Sequence, residues 1–463
     1  MTTASDARLL LAGVRPEVRG WLAAAAVPLL LGVALLAVLM QPETSLTLLA
    51  GALAAAAFVA KPHWGILVML VFVVLRSSVL RIGPASTAEL IGAVLLIPLS
   101  LRLLRDRGVW AWRAPEVRLL IGIAGVFLAA TTWSVMRHVP PPVEIADATW
   151  TEPFSFFQFL LMFLYFIVFI RTPRHLAYAA VVVLALILVL AGDSLKLLEG
   201  GPGTQRAQAA TFGGFAGNEN RLAFLCIWGT AFFWALRFRG PKGWWRPLTS
   251  VPLLVLPVAT LATGSRSGLL QLVLLGALLV LEQRHWAAAQ RVRTLALIAA
   301  TSLLALVAVP EVQRGRAVSF DVSGPTTIGR VHTVEAAAVM LAEHPIFGVG
   351  PGNFAWRNFI MTGHFMGTHN SYLWALTSGG PLLLLLYLVL FHRTYRTLRD
   401  IERRGAGDFG WLATALRVNL IIFLVFSFFA NIWLAEVFWI LIALTVVLRR
   451  VGIARPVPST GRL

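Results

Sequence analysis

Apolar runs of roughly 17–20 residues recur along nearly the whole chain, each broken by a short polar or basic segment, and that length is about what crosses the hydrocarbon core of a bilayer. Fourteen such runs are legible, at roughly 21–40, 44–60, 63–80, 87–104, 117–135, 154–170, 175–193, 220–236, 248–263, 267–282, 294–310, 370–391, 411–429 and 432–448. Only Lys61 and Pro62 separate the second from the third, and Arg76 and Arg102 interrupt two of the first four, so the pattern predicts twelve to fourteen spans. The first run has no small-residue cleavage site after it and is expected to remain as a helix. The expected fold class is therefore an all-α polytopic integral membrane protein.

One stretch departs from this rhythm. Residues 311–369 form the long polar insertion between the helices of 1–310 and those of 370–463, and a loop of that length in a compact protein is usually functional or disordered. The segment TTIGRVHTVEAAAVMLAEHP inside it reads as a helix, with Thr326 or Thr327 as cap, Val331, Val334, Ala338 and Leu341 on one apolar stripe, Arg330 in the first turn and Pro345 as the stop. HPIFGVGPGNF follows, a glycine-rich connection that lets backbone approach backbone closely. No strand precedes it and no P-loop lysine follows, so it reads as structural. His332 with Glu335 reads as a helix-surface pair, and His344 as orienting the turn into Pro345.

The chain of 463 residues is 58% hydrophobic and carries a formal charge of +18. Such a charge could indicate nucleic acid, but most of the 39 basic residues fall in alternate loops, as the positive-inside rule requires, and no nucleic-acid partner is expected. With the N-terminus in the cytoplasm, an even number of spans returns the C-terminus there. The single cysteine, Cys226, excludes an intramolecular disulfide and a cysteine-built metal site.

Twelve basic residues fall off the cytoplasmic face: Arg76, Arg81, Arg137, Lys196, Arg206, Arg221, Arg266, Arg314, Arg316, Arg330, Arg357 and Arg417. Arg417 lies inside a run, where an ionisable group is either functional or paired with a neighbouring helix near the cytoplasmic end. The others give the outer face a positive potential suited to an anion, with phosphate the obvious one at a membrane surface, unless they pair with acidic residues of the same loops. Arg266, in LATGSRSGLLQL, sits in a turn between two spans, where Ser265 or Ser267 can cap the outgoing helix and add partial positive charge beside the guanidinium. It reads as an anion binder or as a hairpin anchor.

His369, in GTHNSYLWALTSGG, enters at the junction of loop and span, where an imidazole can accept a proton near neutral pH or simply bond a loop carbonyl. Asn370 beside it can cap the helix or fix the ring's tautomer. No acidic pair for a metal-bound nucleotide sugar, no HExxH, no Walker lysine and no GxSxG elbow occurs, so a lipid-borne substrate and no cofactor or essential metal are expected.

The order TGSRSGLL, GRVHTVEAAAVMLAEHPIFGVGPGNF and THNSYLWALTSGG, set among a dozen or so spans, resembles the bacterial O-antigen ligase and polymerase superfamily over roughly residues 200–391. That resemblance implies an all-helical membrane glycosyltransferase fold of the C type. It also implies transfer of a glycan from undecaprenyl pyrophosphate, the donor, to a sugar hydroxyl of lipid A-core, the acceptor, at the periplasmic face of the inner membrane among its lipids. The superfamily's essential arginines fall on Arg266 and Arg330, its essential histidine on His369, and a further basic residue of the donor site on Arg206, with Asn370 in support. An aromatic that often follows the loop's GR is replaced here by Thr333 or Val334. The alternatives are an O-antigen polymerase, a protein O-oligosaccharyltransferase, which the short C-terminal tail disfavours, and a transporter of lipid-linked glycans, which would want more ionisable residues in mid-membrane.

Overall fold

The computed structural model describes residues 42–75, 81–82, 85–105, 113–137, 143–195, 218–244, 246–283, 287–309, 311–318, 325–404 and 409–453. The run at 21–40 and Arg206 lie outside these residues. Within them the chain is a helical bundle: α1 (Pro42–Ala60), α2 (Pro62–Leu75), α3 (Thr87–Arg105), α4 (Pro115–Arg137), α5 (Val143–Phe169), α6 (Pro173–Leu195), α7 (Glu219–Arg239), α8 (Ser250–Ala262), α9 (Arg266–Glu282), α10 (Ala288–Ala308), α11 (Glu311–Val318), α12 (Pro325–Glu343), α13 (Phe354–Thr362), α14 (Ser371–Arg403), α15 (Gly410–Phe426) and α16 (Glu436–Ile453). A two-residue antiparallel ladder pairs Arg81–Ile82 with Ala85–Ser86 before α3. Among the described residues, six helices are long and apolar enough to cross a membrane: α3, α4, the part of α5 from Trp150, α6 to Gly192, α7 and α14. Four shorter apolar helical stretches, in α1, in α2, across Arg246–Ala262 and in α15, accompany them. The protein is thus an all-α, multi-pass membrane protein.

α7 is apolar around its whole circumference, and such a helix belongs in the middle of a bundle. Residues from Leu222 to Ala235 are buried throughout, and α6, α8, α9 and α15 pack around them. With lipid as apolar as the side chains, van der Waals packing and interhelical hydrogen bonds hold such contacts. Asn419 Nδ2 of α15 donates to the Trp228 carbonyl of α7 at 3.1 Å, and Tyr387 and Phe391 of α14 pack on Trp433 at ring-centroid distances of 4.6 and 5.1 Å.

α14 is two helical limbs joined at Gly380, whose φ of 72° only glycine adopts without strain, followed by Pro381. A Cβ at Gly380 would meet the Ile346 carbonyl, and one at Gly348 would meet that of Thr377, so the glycine-rich turn lies directly against the kink. Val349 N and Gly350 N both donate to the Thr377 carbonyl, at 2.8 and 3.2 Å. From the other side, Glu152 of α5 accepts from Gly352 N at 2.8 Å and from Trp374 Nε1 at 3.0 Å. The turn packs as a structural element, and it sets the angle at which the N-terminal limb of α14 stands.

Two expectations for the insertion helix need correction. α12 begins at Pro325, so Thr326 and Thr327 are inside it and Arg330 is in its second turn. The buried stripe is Thr333, Ala336, Ala337 and Met340, while Val331 and Val334 are 52% and 56% exposed. Small side chains let α12 pack closely on α13 and α14, and Thr333, standing where an aromatic was expected, turns its hydroxyl onto the Gly329 carbonyl at 2.7 Å.

Arg417 proves to be paired. It donates to Glu402 of α14 at 2.8 Å and to Glu282 of α9 at 2.6 Å, and Arg239 of α7 holds the second oxygen of Glu282 at 3.1 Å. This network ties four helices together at the end of the bundle remote from His369. Removing one partner of a largely buried network leaves the others' charges uncompensated. An Arg417→Met variant is expected to lose about 3 kcal/mol, read as a lower unfolding midpoint in detergent, with part of the loss recovered when Glu282→Gln and Glu402→Gln are added.

Candidate functional site

Three helix N-termini carry the site, each closed by its own cap. Asn218 Oδ1 accepts from Asn220 N and Arg221 N at 3.0 and 3.3 Å and starts α7. Ser265 Oγ accepts from Gly268 N at 3.0 Å and starts α9, so that Arg266 is the first helical residue. Asn370 Oδ1 accepts from Tyr372 N and Leu373 N at 2.9 and 3.0 Å and starts α14. Of the two roles open to Asn370, capping is the one observed. Each N-terminus presents unpaired amides and about half a positive charge.

The first two N-termini are clamped together. Ser265 Oγ and Ser267 Oγ both reach Asn220 Oδ1, at 2.6 and 3.2 Å, and a Cβ on Gly268 would sit 2.7 Å from that of Ala223. A glycine at 268 is what allows this approach, and it puts Arg266 and Arg221 on neighbouring first turns. The third N-terminus is gripped by the segment after α15: Ser371 N donates to the Ser427 carbonyl at 2.7 Å, and Ser371 Oγ donates to the Ala430 carbonyl at 2.8 Å and accepts from Ile432 N at 2.9 Å.

His369 precedes that anchored turn, and its φ of 46° makes it the one non-glycine residue with positive φ among those described. Side chains adopt this conformation only where the surroundings impose it, and such residues cluster at functional sites. The ring keeps part of its surface exposed. Its pKa is lowered from the ordinary histidine value by desolvation first, then by the charges of Arg330 and Arg221. Arg330 is in turn perturbed downward by desolvation and by Arg266, and it stays charged. Both Arg266 and Arg330 are exposed to solvent. Beside them, Thr368 Oγ1 is buried with no hydrogen-bond partner among the described residues.

Arg266, Arg330 and His369, separated by up to about a hundred residues in sequence, are therefore electrostatic neighbours, and Asn370 holds the histidine's helix. Arg221 joins them, although sequence reading placed it only among the basic residues off the cytoplasmic face. The signal was present in GNENR, where an arginine falls in the first turn of an asparagine-capped span. The arrangement can bind an anion with two or more phosphate-like oxygens and keep a neutral imidazole next to it.

A family model described as O-antigen ligase matches residues 251–388, a stretch that runs from α8 into α14 and contains Arg266, Arg330 and His369. No curated protein matches the chain.

The geometry predicts how His369 titrates. A positive neighbour disfavours the imidazolium, so the folded-state pKa lies below about 6.5, and Arg330→Gln should move it up toward that value. A histidine-selective NMR titration in detergent checks both; an unshifted wild-type resonance, or a downward move in the variant, contradicts the arrangement.

Proposed function

We propose that this membrane protein, a member of the O-antigen ligase and polymerase superfamily, transfers a glycan from undecaprenyl pyrophosphate to a sugar hydroxyl of lipid A-core at the periplasmic face of the inner membrane. The observation that carries the reading is the electrostatic proximity of His369 to Arg330 and Arg221, and of Arg330 to Arg266, beside three capped helix N-termini. A lipid pyrophosphate is the kind of leaving group such a cluster suits, because its negative charge grows as the glycosidic bond breaks.

In the proposed reaction the acceptor hydroxyl lies against His369, whose lowered pKa keeps it neutral and able to accept a proton. The hydroxyl oxygen attacks the anomeric carbon, the bond to the pyrophosphate oxygen breaks, and the hydroxyl proton passes to the imidazole. A single displacement of this kind inverts the anomeric centre. Arg266 and Arg330 hold the pyrophosphate through planar forks that never lose their charge, Arg221 and the helix N-termini add to the same field, and Arg206 is a further donor-site candidate. No step of this scheme calls for a metal or cofactor.

General-base assistance contributes about 10²–10⁴-fold. In a reconstituted assay with lipid-linked glycan and rough lipopolysaccharide, His369→Ala is expected to lose activity by that order while inserting normally. Wild-type product levels would remove His369 from the chemistry. Arg266→Lys keeps the charge but loses the fork and should be clearly impaired; full activity would make Arg266 only an anchor. The same assay with lipid-linked repeat units in place of lipopolysaccharide separates ligase from polymerase, and product from the second acceptor alone would overturn the ligase assignment.

A further inference from the structure

A second group of outer-face basic residues stands apart from the first. Arg137 ends α4, His344 follows the last residue of α12, and Arg357 lies on α13. Arg357 Nη1 lies 3.2 Å from His344 Nε2. Because a guanidinium only donates, Nε2 accepts, and the ring is neutral with its proton on Nδ1. Arg137 Cζ stacks 4.4 Å from the centroid of the Trp133 ring, which itself meets Phe347 at 6.0 Å. His344 is lowered in pKa by desolvation, then by Arg357, with Glu343 opposing and Arg137 adding to the lowering, so both arginines lie within electrostatic reach of it. Glu343 is the one carboxylate named there, and it forms no ion pair with either arginine among the described residues. Two guanidinium groups thus face one carboxylate, on a side of the membrane where the topology rule disfavours them.

α12 fixes the distance between the two groups. Arg330 and His344 are fourteen residues apart at either end of one helix, which at 1.5 Å per residue is about 21 Å. A donor pyrophosphate held at Arg266 and Arg330 cannot reach that far, so an anion bound here belongs to another molecule. The second group also lies next to the kink of α14. Beyond that kink the limb 381–403 is about 35 Å long and is sufficient to span a bilayer, which puts the group near headgroup depth. Ile346, Phe359 and Ile360 are exposed around it, as apolar side chains at such a depth are.

We propose that Arg137, His344 and Arg357 form a phosphate site that seats the acceptor glycolipid by a phosphate near its lipid end, while the acceptor hydroxyl, several sugars farther out, lies at His369. The inference rests on the glycosyl-transfer reading above. Trp133 holds Arg137 in place, and His344 holds Arg357. This spacing selects an acceptor by the length between its phosphate and its reacting hydroxyl.

The test is equilibrium binding to the full-length His369→Ala protein in nanodiscs, with lipid A-core glycolipid before and after phosphatase treatment as probes. Adding Arg137→Gln and Arg357→Gln is expected to weaken binding of the phosphorylated glycolipid tenfold or more, since each charged hydrogen bond is worth that order. Binding of the dephosphorylated glycolipid and of the lipid-pyrophosphate donor should not change, which also shows that the variant is folded. Arg357→Lys alone should retain part of the affinity. Unchanged binding of the phosphorylated probe overturns the proposal, as does a parallel loss of the donor, which would make these residues part of the first site. Equal competition by phosphatidylglycerol vesicles would reduce them to a bilayer anchor. The readout does not depend on turnover, so its failure leaves the transfer reading standing, and failure of transfer leaves the binding result readable.

Discussion

Like charges repel, and one end of this bundle brings several of them together around His369. Arg330 and Arg221 disfavour a proton on His369, Arg266 acts on Arg330 in the same sense, and three helix N-termini add to the same field. The caps that start those helices, the Asn220 clamp on Ser265 and Ser267, and the grip of residues 427–432 on Ser371 are bonds that resist that repulsion. A bound anion would relieve that repulsion, which is the physical basis of the proposed preference for a charged leaving group.

The opposite end of the bundle treats charge differently. There, Arg417 and Arg239 meet Glu282 and Glu402, and Arg449 and Thr397 meet the fully buried Glu116. These networks are neutralised within the protein and serve to join helices. At this end the basic residues are joined to carboxylates of other helices, and that pairing is what makes them structural.

Much of the fold was legible because a bilayer leaves few choices: apolar runs must be helices, and the described helices follow the predicted runs within a few residues at most ends. The long loop was legible as a helix but not in its rotation. Val331 and Val334 are the more hydrophobic residues, yet the alanines face inward because backbone proximity to α13 and α14 outweighs side-chain hydrophobicity where lipid or an interface can cover the valines. Of the site, His369, Arg266 and Arg330 were suggested by unusual residues at span boundaries and by family resemblance. Arg221 was not singled out, because its role depends on Gly268 and Asn220 drawing two N-termini together, a contact between segments 45 residues apart that no local pattern reveals. The pairing of Arg357 with His344 was hidden in the same way by the glycine-rich turn that folds α13 back on α12.

The proposed reaction divides the labour: the arginines bind the lipid pyrophosphate and His369 handles the proton. Its most direct measurement is the affinity of the purified protein for undecaprenyl pyrophosphate-linked glycan, compared between a His369→Ala variant and one carrying Arg221→Gln, Arg266→Gln and Arg330→Gln together. Near wild-type affinity is expected for the first and a loss of at least a hundredfold for the second. Equal loss in both, or tight binding by the triple variant, would contradict that division.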